Sequence, residues 1–272
     1  MDKPSQSSKI LVDPRDVNRP HGTTKSMPQE SDYQFRPRDV AAVLFALVLP
    51  TVVTLVYFVW AERFAAGFQQ ATYAVAKVVQ FAFPVVWVLW VQKRRPRASR
   101  PVTRGAGLGI VFGLVIAGAM LALYHFWLAS ADFFAAAEQQ IREKIAGMQL
   151  GEPWIFVTVG VFYSLLHSLL EEYYWRWFVF GQLRRMAPVL VAIAISSLGF
   201  MAHHVIVLAT YFGIGAPVTW IFSLAIAIGG AFWAWLYHRS GSLMGPWLSH
   251  LLVDAAIFLG IGYEIVQKTI GQ

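Results

Sequence analysis

Long apolar stretches separated by short polar connections dominate the chain after its first 39 residues. A helix needs about 20 predominantly apolar residues to cross the hydrocarbon core of a bilayer. Seven stretches reach that length, at residues 40–61, 70–91, 107–129, 153–180, 188–212, 217–238 and 243–264. The pattern predicts an all-α fold: a polytopic membrane helix bundle of about seven transmembrane helices, within a transmembrane domain at residues 40–265.

Two local patterns add detail to this bundle. Residues 131–150 mix apolar and charged side chains, and Ile141 and Ile145 repeat at helical spacing. We expect an amphipathic helix at the outer membrane surface there, with a simple connector as the alternative. The glycines between residues 105 and 113 lie in an apolar stretch and predict close packing of that helix on a neighbour.

The composition agrees with a membrane protein. Hydrophobic residues make up 57% of the chain and charged residues only 14%, whereas about a quarter of a soluble domain is charged. The absence of cysteine excludes disulfides and thiolate chemistry. Residues 1–39 are polar and rich in proline, which predicts a flexible cytoplasmic leader.

The positive charges predict an orientation. The net charge is +7, but the basic residues cluster beside the apolar stretches, which is typical of membrane topology signals and not of nucleic-acid binding. Most of them lie in the leader and at 93–104, on the side of the amino terminus. With an odd number of spans, this distribution predicts the amino terminus inside and the carboxyl terminus outside (N-in, C-out). A compact chain with a polar leader and no organelle signal further indicates a bacterial inner membrane.

Charged residues inside the fourth stretch point to function. Glu171, Glu172 and Arg176 would each cost a few kcal/mol at bilayer depth, so such groups normally face a protein interior or a wet cavity. Glu172 and Arg176 are four residues apart and can pair on one helical face. Glu171 points about 100° away from Glu172 and stays available for general-base chemistry.

Polar groups on two further stretches could meet this cluster. His204 lies in the fifth stretch, and His250 and Asp254 lie four residues apart in the seventh. A carboxylate close to an imidazole can orient it and fix its tautomer. Since polar groups in membranes usually find each other, we expect Glu171, His204, His250 and Asp254 to form one site. His167, His203, His238 and Lys77 are interpreted as packing or snorkelling residues.

The order of these residues resembles a known family. The motifs E-E-x-x-x-R at Glu171–Arg176, F-x-x-x-H at Phe200–His204 and H-x-x-x-N/D at His250–Asp254 are similar to those of the CPBP family. This family, also called Abi, comprises CAAX prenyl endopeptidases and bacteriocin-processing proteins. The resemblance covers roughly residues 150–265, about the size of the family core.

The resemblance implies an intramembrane glutamate endopeptidase without metal or cofactor. Glu171 would be the catalytic base, and His204 would help to hold and polarise the attacking water. His250 and Asp254 would form an oxyanion-side or orienting pair, while Glu172 and Arg176 would shape the site. Asp254 stands where the family often has Asn, which leaves open whether this position donates to the oxyanion directly. The substrate would be a protein or peptide that enters from the lipid bilayer.

Three other functions remain open at this stage. A zinc-dependent intramembrane protease could use the two histidines and two carboxylates, although the chain has no H-E-x-x-H motif. A transporter or proton relay could use the same buried groups. A non-catalytic scaffold or immunity protein of the same fold is the third.

Candidate substrates are prenylated C-terminal peptides, bacteriocin leaders and transmembrane tails. Neither the substrate nor the oligomeric state follows from the sequence.

The depths of the candidate residues do not agree with the predicted spans. Glu171 and Asp254 would lie roughly 15 Å from the cytoplasmic ends of their helices. His204 would lie about 25 Å from its own cytoplasmic end if that helix begins at Pro188. We therefore expect a tilted fifth helix, a later start of that helix, or an error in the boundaries.

Overall fold

The computed structural model describes residues 36–94, 103–148 and 150–270, and this part of the chain is helical without strands. The helices are α1 Pro37–Trp60, α2 Gly67–Val91, α3 Ala106–Ser130, α4 Asp132–Gly147, α5 Pro153–Met186, α6 Val189–Phe212, α7 Pro217–Ser240 and α8 Met244–Lys268. All except α4 are long and apolar enough to cross a membrane, which confirms the predicted all-α bundle of seven spans. The leader proposed at 1–39 lies, apart from its last four residues, outside the described residues.

Helix α4 confirms that the amphipathic segment is helical. Phe134 is buried against Tyr124 and Leu128 of α3, and Phe212 of α6 packs against the same cluster. The opposite face carries the exposed, hydrogen-bonded pair Gln139 and Glu143. Helix α4 is therefore attached to the bundle through its apolar face, while its place at the outer surface stays a prediction.

Helices α3 and α8 pack unusually closely, as the glycine-rich sequence of α3 predicted. A Cβ atom built at Gly109 would come within 3 Å of the backbone of Gly245, and one at Gly113 would lie 2.9 Å from the Cα atom of Ser249. Small residues allow this approach because no side chain separates the two backbones. The contact holds α8, and with it His250, in a fixed position beside the rest of the bundle.

Helix α5 runs through the centre of the core. Its residues Tyr174, Trp175, Phe178 and Phe180 are almost completely buried. The hydroxyl of Tyr174 donates to the carbonyl oxygen of Ala46 in α1 at 2.7 Å. Pro50 lacks an amide hydrogen, so the carbonyl four residues before it has no partner in its own helix. Tyr174 supplies that partner and joins α5 to α1.

The extent of α5 removes the predicted difference in depth between Glu171 and His204. The predicted end of the fourth span was wrong, because α5 continues beyond Phe180 to Met186. The start of the fifth helix was nearly correct, since α6 begins at Val189. Glu171 and His204 are each 15 residues from the helix ends that meet at the α5–α6 connection. At 1.5 Å per residue both lie about 22 Å from it, at matching depth.

Candidate active site

The two glutamates lie on a short α-helical turn between two wider turns of α5. Tyr163–His167 and Tyr173–Phe180 are π-helical, and Ser168–Glu172 between them is α-helical. In a π turn the backbone hydrogen bond joins residues five apart, whereas in an α turn it joins residues four apart. Such turns often occur at functional sites. These turns set the direction in which Glu171 and Glu172 leave α5.

Glu172 and Arg176 form the buried pair that their spacing predicted. The Nε atom of Arg176 lies 3.0 Å from Oε2 of Glu172, and both side chains are almost fully excluded from solvent. The guanidinium carbon of Arg176 lies 4.8 Å from the ring centroid of Phe200 and 5.2 Å from that of Trp233. The aromatic faces add a cation–π contribution, so the positive charge is held by a carboxylate and two rings.

His250 connects this pair to the rest of the site. Its Nδ1 atom lies 2.9 Å from Oε1 of Glu172, so Nδ1–H donates to that carboxylate. Its Nε2 atom lies 3.6 Å from Oδ1 of Asp254 and 3.8 Å from Oε2 of Glu171. The predicted pairing of His250 with Asp254 is therefore present, and Nε2 is the nitrogen that faces Glu171.

An indole ring on α7 holds the imidazole of His250 in place. Trp233 stacks on His250 with ring centroids 4.4 Å apart and planes 18° apart. Its Nε1–H donates to Oγ of Ser249 at 2.8 Å, which fixes the indole in its own plane. No sequence motif pointed to α7, and Trp233 could not be distinguished from other tryptophans of the spans.

Glu171 is surrounded by imidazole nitrogens from three helices. Its carboxylate lies 3.8 Å from Nε2 of His203, 3.8 Å from Nε2 of His250 and 4.0 Å from Nε2 of His167. These separations exceed a direct hydrogen bond. They are also shorter than the roughly 4.6 Å that separates two groups sharing one water at about 2.8 Å with a tetrahedral angle. Glu171 itself is 4% exposed.

A backbone contact fixes the tautomer of His204. Its Nδ1 atom lies 2.8 Å from the carbonyl oxygen of Phe200. A carbonyl can only accept, so Nδ1 carries the hydrogen, and in the neutral ring Nε2 is then an acceptor. A ligand atom of Glu171, one of His203 and one of His204 all lie within 4.8 Å of one another.

These three side chains could also hold a metal ion. A carboxylate and two imidazoles that leave one position open form the ligand set of a catalytic zinc site. The set differs from the one expected for the zinc alternative, because it uses His203 and His204 of α6 and does not use His250. The same atoms could instead hold a water, so the donor set permits both chemistries.

The structure brings all six predicted site residues together from α5, α6 and α8. It also adds residues that the sequence interpretation assigned to packing. His203 and His167 both approach the Glu171 carboxylate. Their positions carried a signal that could have been used: His167 is four residues before Glu171, and His203 adjoins His204. His238 lies elsewhere, 2.9 Å from Nη1 of Arg184.

Residues 153–256 match a protein-family model described as "Type II CAAX prenyl endopeptidase Rce1-like". The matched range contains all three motifs and the whole of the group around Glu171, and it supports the resemblance that the motifs indicated. Helices α1 to α4 lie outside it. No curated protein and no solved structure shows a significant match to the chain.

Proposed function

Starting from the CPBP family of CAAX-type membrane proteases, which this match supports, we propose that the protein is an intramembrane glutamate endopeptidase. It hydrolyses a peptide bond of a substrate that reaches the site from the lipid bilayer. The observation that carries the proposal is the convergence of His203, His204 and His250 on the buried carboxylate of Glu171.

The attacking water is held between Glu171 and His204. Glu171 takes one proton from the water, and Nε2 of His204 accepts a hydrogen bond from the second O–H, because its Nδ1–H is already bound to Phe200. The oxygen then attacks the carbonyl carbon of the scissile bond. Glu171 afterwards delivers the proton to the leaving amine, so the carboxylate is regenerated.

His250 stabilises the oxyanion that this attack creates. Its Nδ1–H donates to Glu172, which also stabilises a positive charge on the ring. Nε2–H of the cationic ring donates to the oxyanion, and Asp254, 3.6 Å away, orients the ring. Glu172 and Arg176 keep their places through their mutual pairing and shape the wall of the site.

Glu171→Gln tests the role of the base. Purified wild-type protein in proteoliposomes is incubated with a peptide library, and products are identified by mass spectrometry. We expect Glu171→Gln to lose about 10²- to 10⁴-fold in kcat/KM, because the amide cannot accept the proton. Glu138→Gln on α4 is the matched control and should keep wild-type activity. Unchanged hydrolysis by Glu171→Gln would refute the assigned base.

Chelation separates the water-activating carboxylate from the zinc alternative. The same hydrolysis assay is run after prolonged treatment with a strong chelator, and then after addition of Zn²⁺. Activity that survives chelation supports the metal-free mechanism. Activity lost on chelation and restored by Zn²⁺ would assign Glu171, His203 and His204 to metal binding. A wild-type protein that cleaves no peptide would favour the non-catalytic scaffold.

A further inference from the structure

Lys77 carries a positive charge in the middle of a membrane span. It lies ten residues after the start of α2 and 14 residues before its end, so the two helix ends are about 15 Å and 21 Å away. These distances exceed the length of a lysine side chain, which excludes snorkelling to water. Gln80, three residues further along the same side of α2, is 0% exposed. Lys77 therefore faces the protein.

Phe81 lies between this lysine and the carboxylate of Glu171. The ring of Phe81 contacts those of His167 and Tyr174, with centroids 6.0 Å and 6.2 Å away. These two residues bracket Glu171 on α5, so the Phe81 ring is level with that carboxylate. The Nζ atom of Lys77 lies 5.5 Å from the centroid of the same ring. A single layer of side chains therefore separates the ammonium group from Glu171.

The charges at this depth balance only when Lys77 is counted. Among the described residues, five side chains of the Asp, Glu, Lys and Arg types lie ten or more residues from both ends of their spans: Lys77, Glu171, Glu172, Arg176 and Asp254. The three carboxylates face Arg176 and, in the proposed mechanism, the cationic ring of His250. Two positive charges leave one negative charge uncompensated, which is costly inside a membrane. Lys77 supplies the missing positive charge.

Glu171 is the carboxylate on which this charge acts. Lys77 interacts electrostatically with Glu171 across the aromatic layer. Both oxygens of Glu172 are already occupied, one by Arg176 and the other by His250. The imidazole nitrogens nearest to Glu171 are 3.8 Å away, so its oxygens are free to hold a water. A positive charge behind Phe81 compensates Glu171 without occupying those oxygens, which a direct ion pair would do.

We propose that Lys77 is a positioning residue of the active site, the counter-charge of Glu171 that acts through the layer formed by Phe81. This inference rests on the proposed function, since it concerns the same base. Helix α2 lies outside the family match, so the residue is supplied by a part of the chain beyond the matched core. Hydrolysis begins from the carboxylate form of Glu171 and returns to it, and a buried carboxylate without compensation is unfavourable. Lys77 therefore supports the chemical step without touching the substrate.

The absence of cysteine from the chain allows the charge itself to be tested. Lys77→Cys introduces a unique thiol, which 2-aminoethyl methanethiosulfonate converts into a side chain of nearly lysine length that ends in an ammonium group. 2-Hydroxyethyl methanethiosulfonate gives a side chain of the same length without the charge. Hydrolysis of the best library peptide is measured in proteoliposomes for both modified forms, and intact-protein mass spectrometry verifies complete modification.

We expect unmodified Lys77→Cys to lose kcat on the order of tenfold to a hundredfold with KM nearly unchanged, as for a unit charge several ångströms away at the effective dielectric of a protein. The aminoethyl reagent should restore most of kcat, and the hydroxyethyl reagent should not. Lys144→Cys is the matched control, because Lys144 also lies over an aromatic ring, 4.6 Å from the Tyr57 centroid, but belongs to α4. It should keep the wild-type kcat with either reagent. Thermal unfolding in detergent verifies that each variant is folded.

The outcomes separate this inference from the proposed function. A wild-type kcat in unmodified Lys77→Cys, or recovery with both reagents alike or with neither, would overturn the role of Lys77 while the loss in Glu171→Gln still stands. If wild-type protein cleaves no peptide, or if Glu171→Gln cleaves normally, the proposed function itself fails and this inference fails with it. Recovery with the aminoethyl reagent alone supports both.

Discussion

Glu172 uses both of its carboxylate oxygens inside the protein. Oε2 faces Arg176 and Oε1 accepts from His250, so one buried negative charge is shared by a cation on α5 and an imidazole on α8. Phe200 and Trp233 enclose the guanidinium from the other side. Because the same carboxylate stabilises the helix and orients a site residue, stability and activity are linked at this position.

Arg176→Ala is expected to reduce stability as well as activity. The substitution leaves Glu172 as a buried charge without its strongest partner, which costs about 3–5 kcal/mol in unfolding free energy. We expect a lower yield and a lower unfolding midpoint in detergent. The matched control is Arg142→Ala on α4, where the pair with Glu138 has the same spacing but is 18% and 13% exposed.

Loss of the Arg142 pair should change the unfolding free energy by only about 0.5 kcal/mol, because partly exposed pairs contribute little. If Arg176→Ala and Arg142→Ala gave the same yield and the same midpoint, the buried pair would not have the structural role assigned to it. The comparison needs no substrate, so it is independent of the proposed function.

At this scale the sequence predicted pairs within one helix but not the contacts between helices. Spacing alone identified Glu172 with Arg176 and His250 with Asp254. Spacing could not show that both His203 and His204 approach Glu171, because adjacent residues point about 100° apart on a helix. Both imidazole rings nevertheless approach Glu171, and their centroids are 4.1 Å apart. The side of α6 that faces α5 therefore lies between the directions of these two side chains. Only the packing of α6 on α5 reveals this.

Helix α5 shows why the apolar pattern gave the wrong end for one span. The predominantly apolar run stops near Phe180, and the next residues include Gln182 and Arg184. The helix continues through them because its hydrogen bonds do not depend on hydrophobicity. Gln182 is buried, and its Oε1 atom accepts a hydrogen bond from Nε2 of Gln92, the residue that follows α2, at 3.2 Å. Hydropathy therefore located the membrane core well, while the length of the helix was set by packing beyond it.

The close contact of α3 with α8 predicts that glycines of α3 respond differently to substitution. Gly109→Ala should lower the unfolding free energy by about 1–3 kcal/mol, because its methyl group would overlap the backbone of Gly245. Activity should fall with it, since α8 carries His250. Gly118→Ala, in the same helix with nothing within 4 Å of the new Cβ atom, is the control.

Gly118→Ala should be neutral or stabilising by about 0.5–1 kcal/mol, as expected for alanine in a helix. The measurement is chemical or thermal unfolding in detergent, together with hydrolysis of the library peptide. Equal stability of Gly109→Ala and Gly118→Ala would contradict the close approach of α3 and α8.

For the whole molecule, the proposed orientation can be tested with single cysteines, because the chain has none. Pro188→Cys lies in the α5–α6 connection and Gly215→Cys in the α6–α7 connection, and both positions are exposed. With N-in, C-out topology, a membrane-impermeant maleimide should label Gly215→Cys in intact cells and Pro188→Cys only after permeabilisation. The reverse pattern would invert the proposed topology.

At the level of the fold, the number of spans and the three helices that build the site followed from hydropathy and motifs. The structural features that could not be predicted are those built from ordinary apolar and aromatic residues. Trp233 on α7 looks like any other tryptophan of a membrane helix, and its stacking on His250 depends on how α7 packs against α8. Such features arise from packing in three dimensions, which a linear pattern does not encode.

The two π turns of α5 have a consequence for how such a site can change during evolution. A π turn contains one residue more than an α turn, so a single inserted codon can create one and a single deletion can remove it. Glu171 and Glu172 lie between Tyr163–His167 and Tyr173–Phe180. One-residue insertions or deletions in these segments would rotate both carboxylates away from α6 and α8 while α5 still crosses the membrane. A span of this kind can therefore gain or lose its chemistry through changes in length alone, with every residue of the site still encoded.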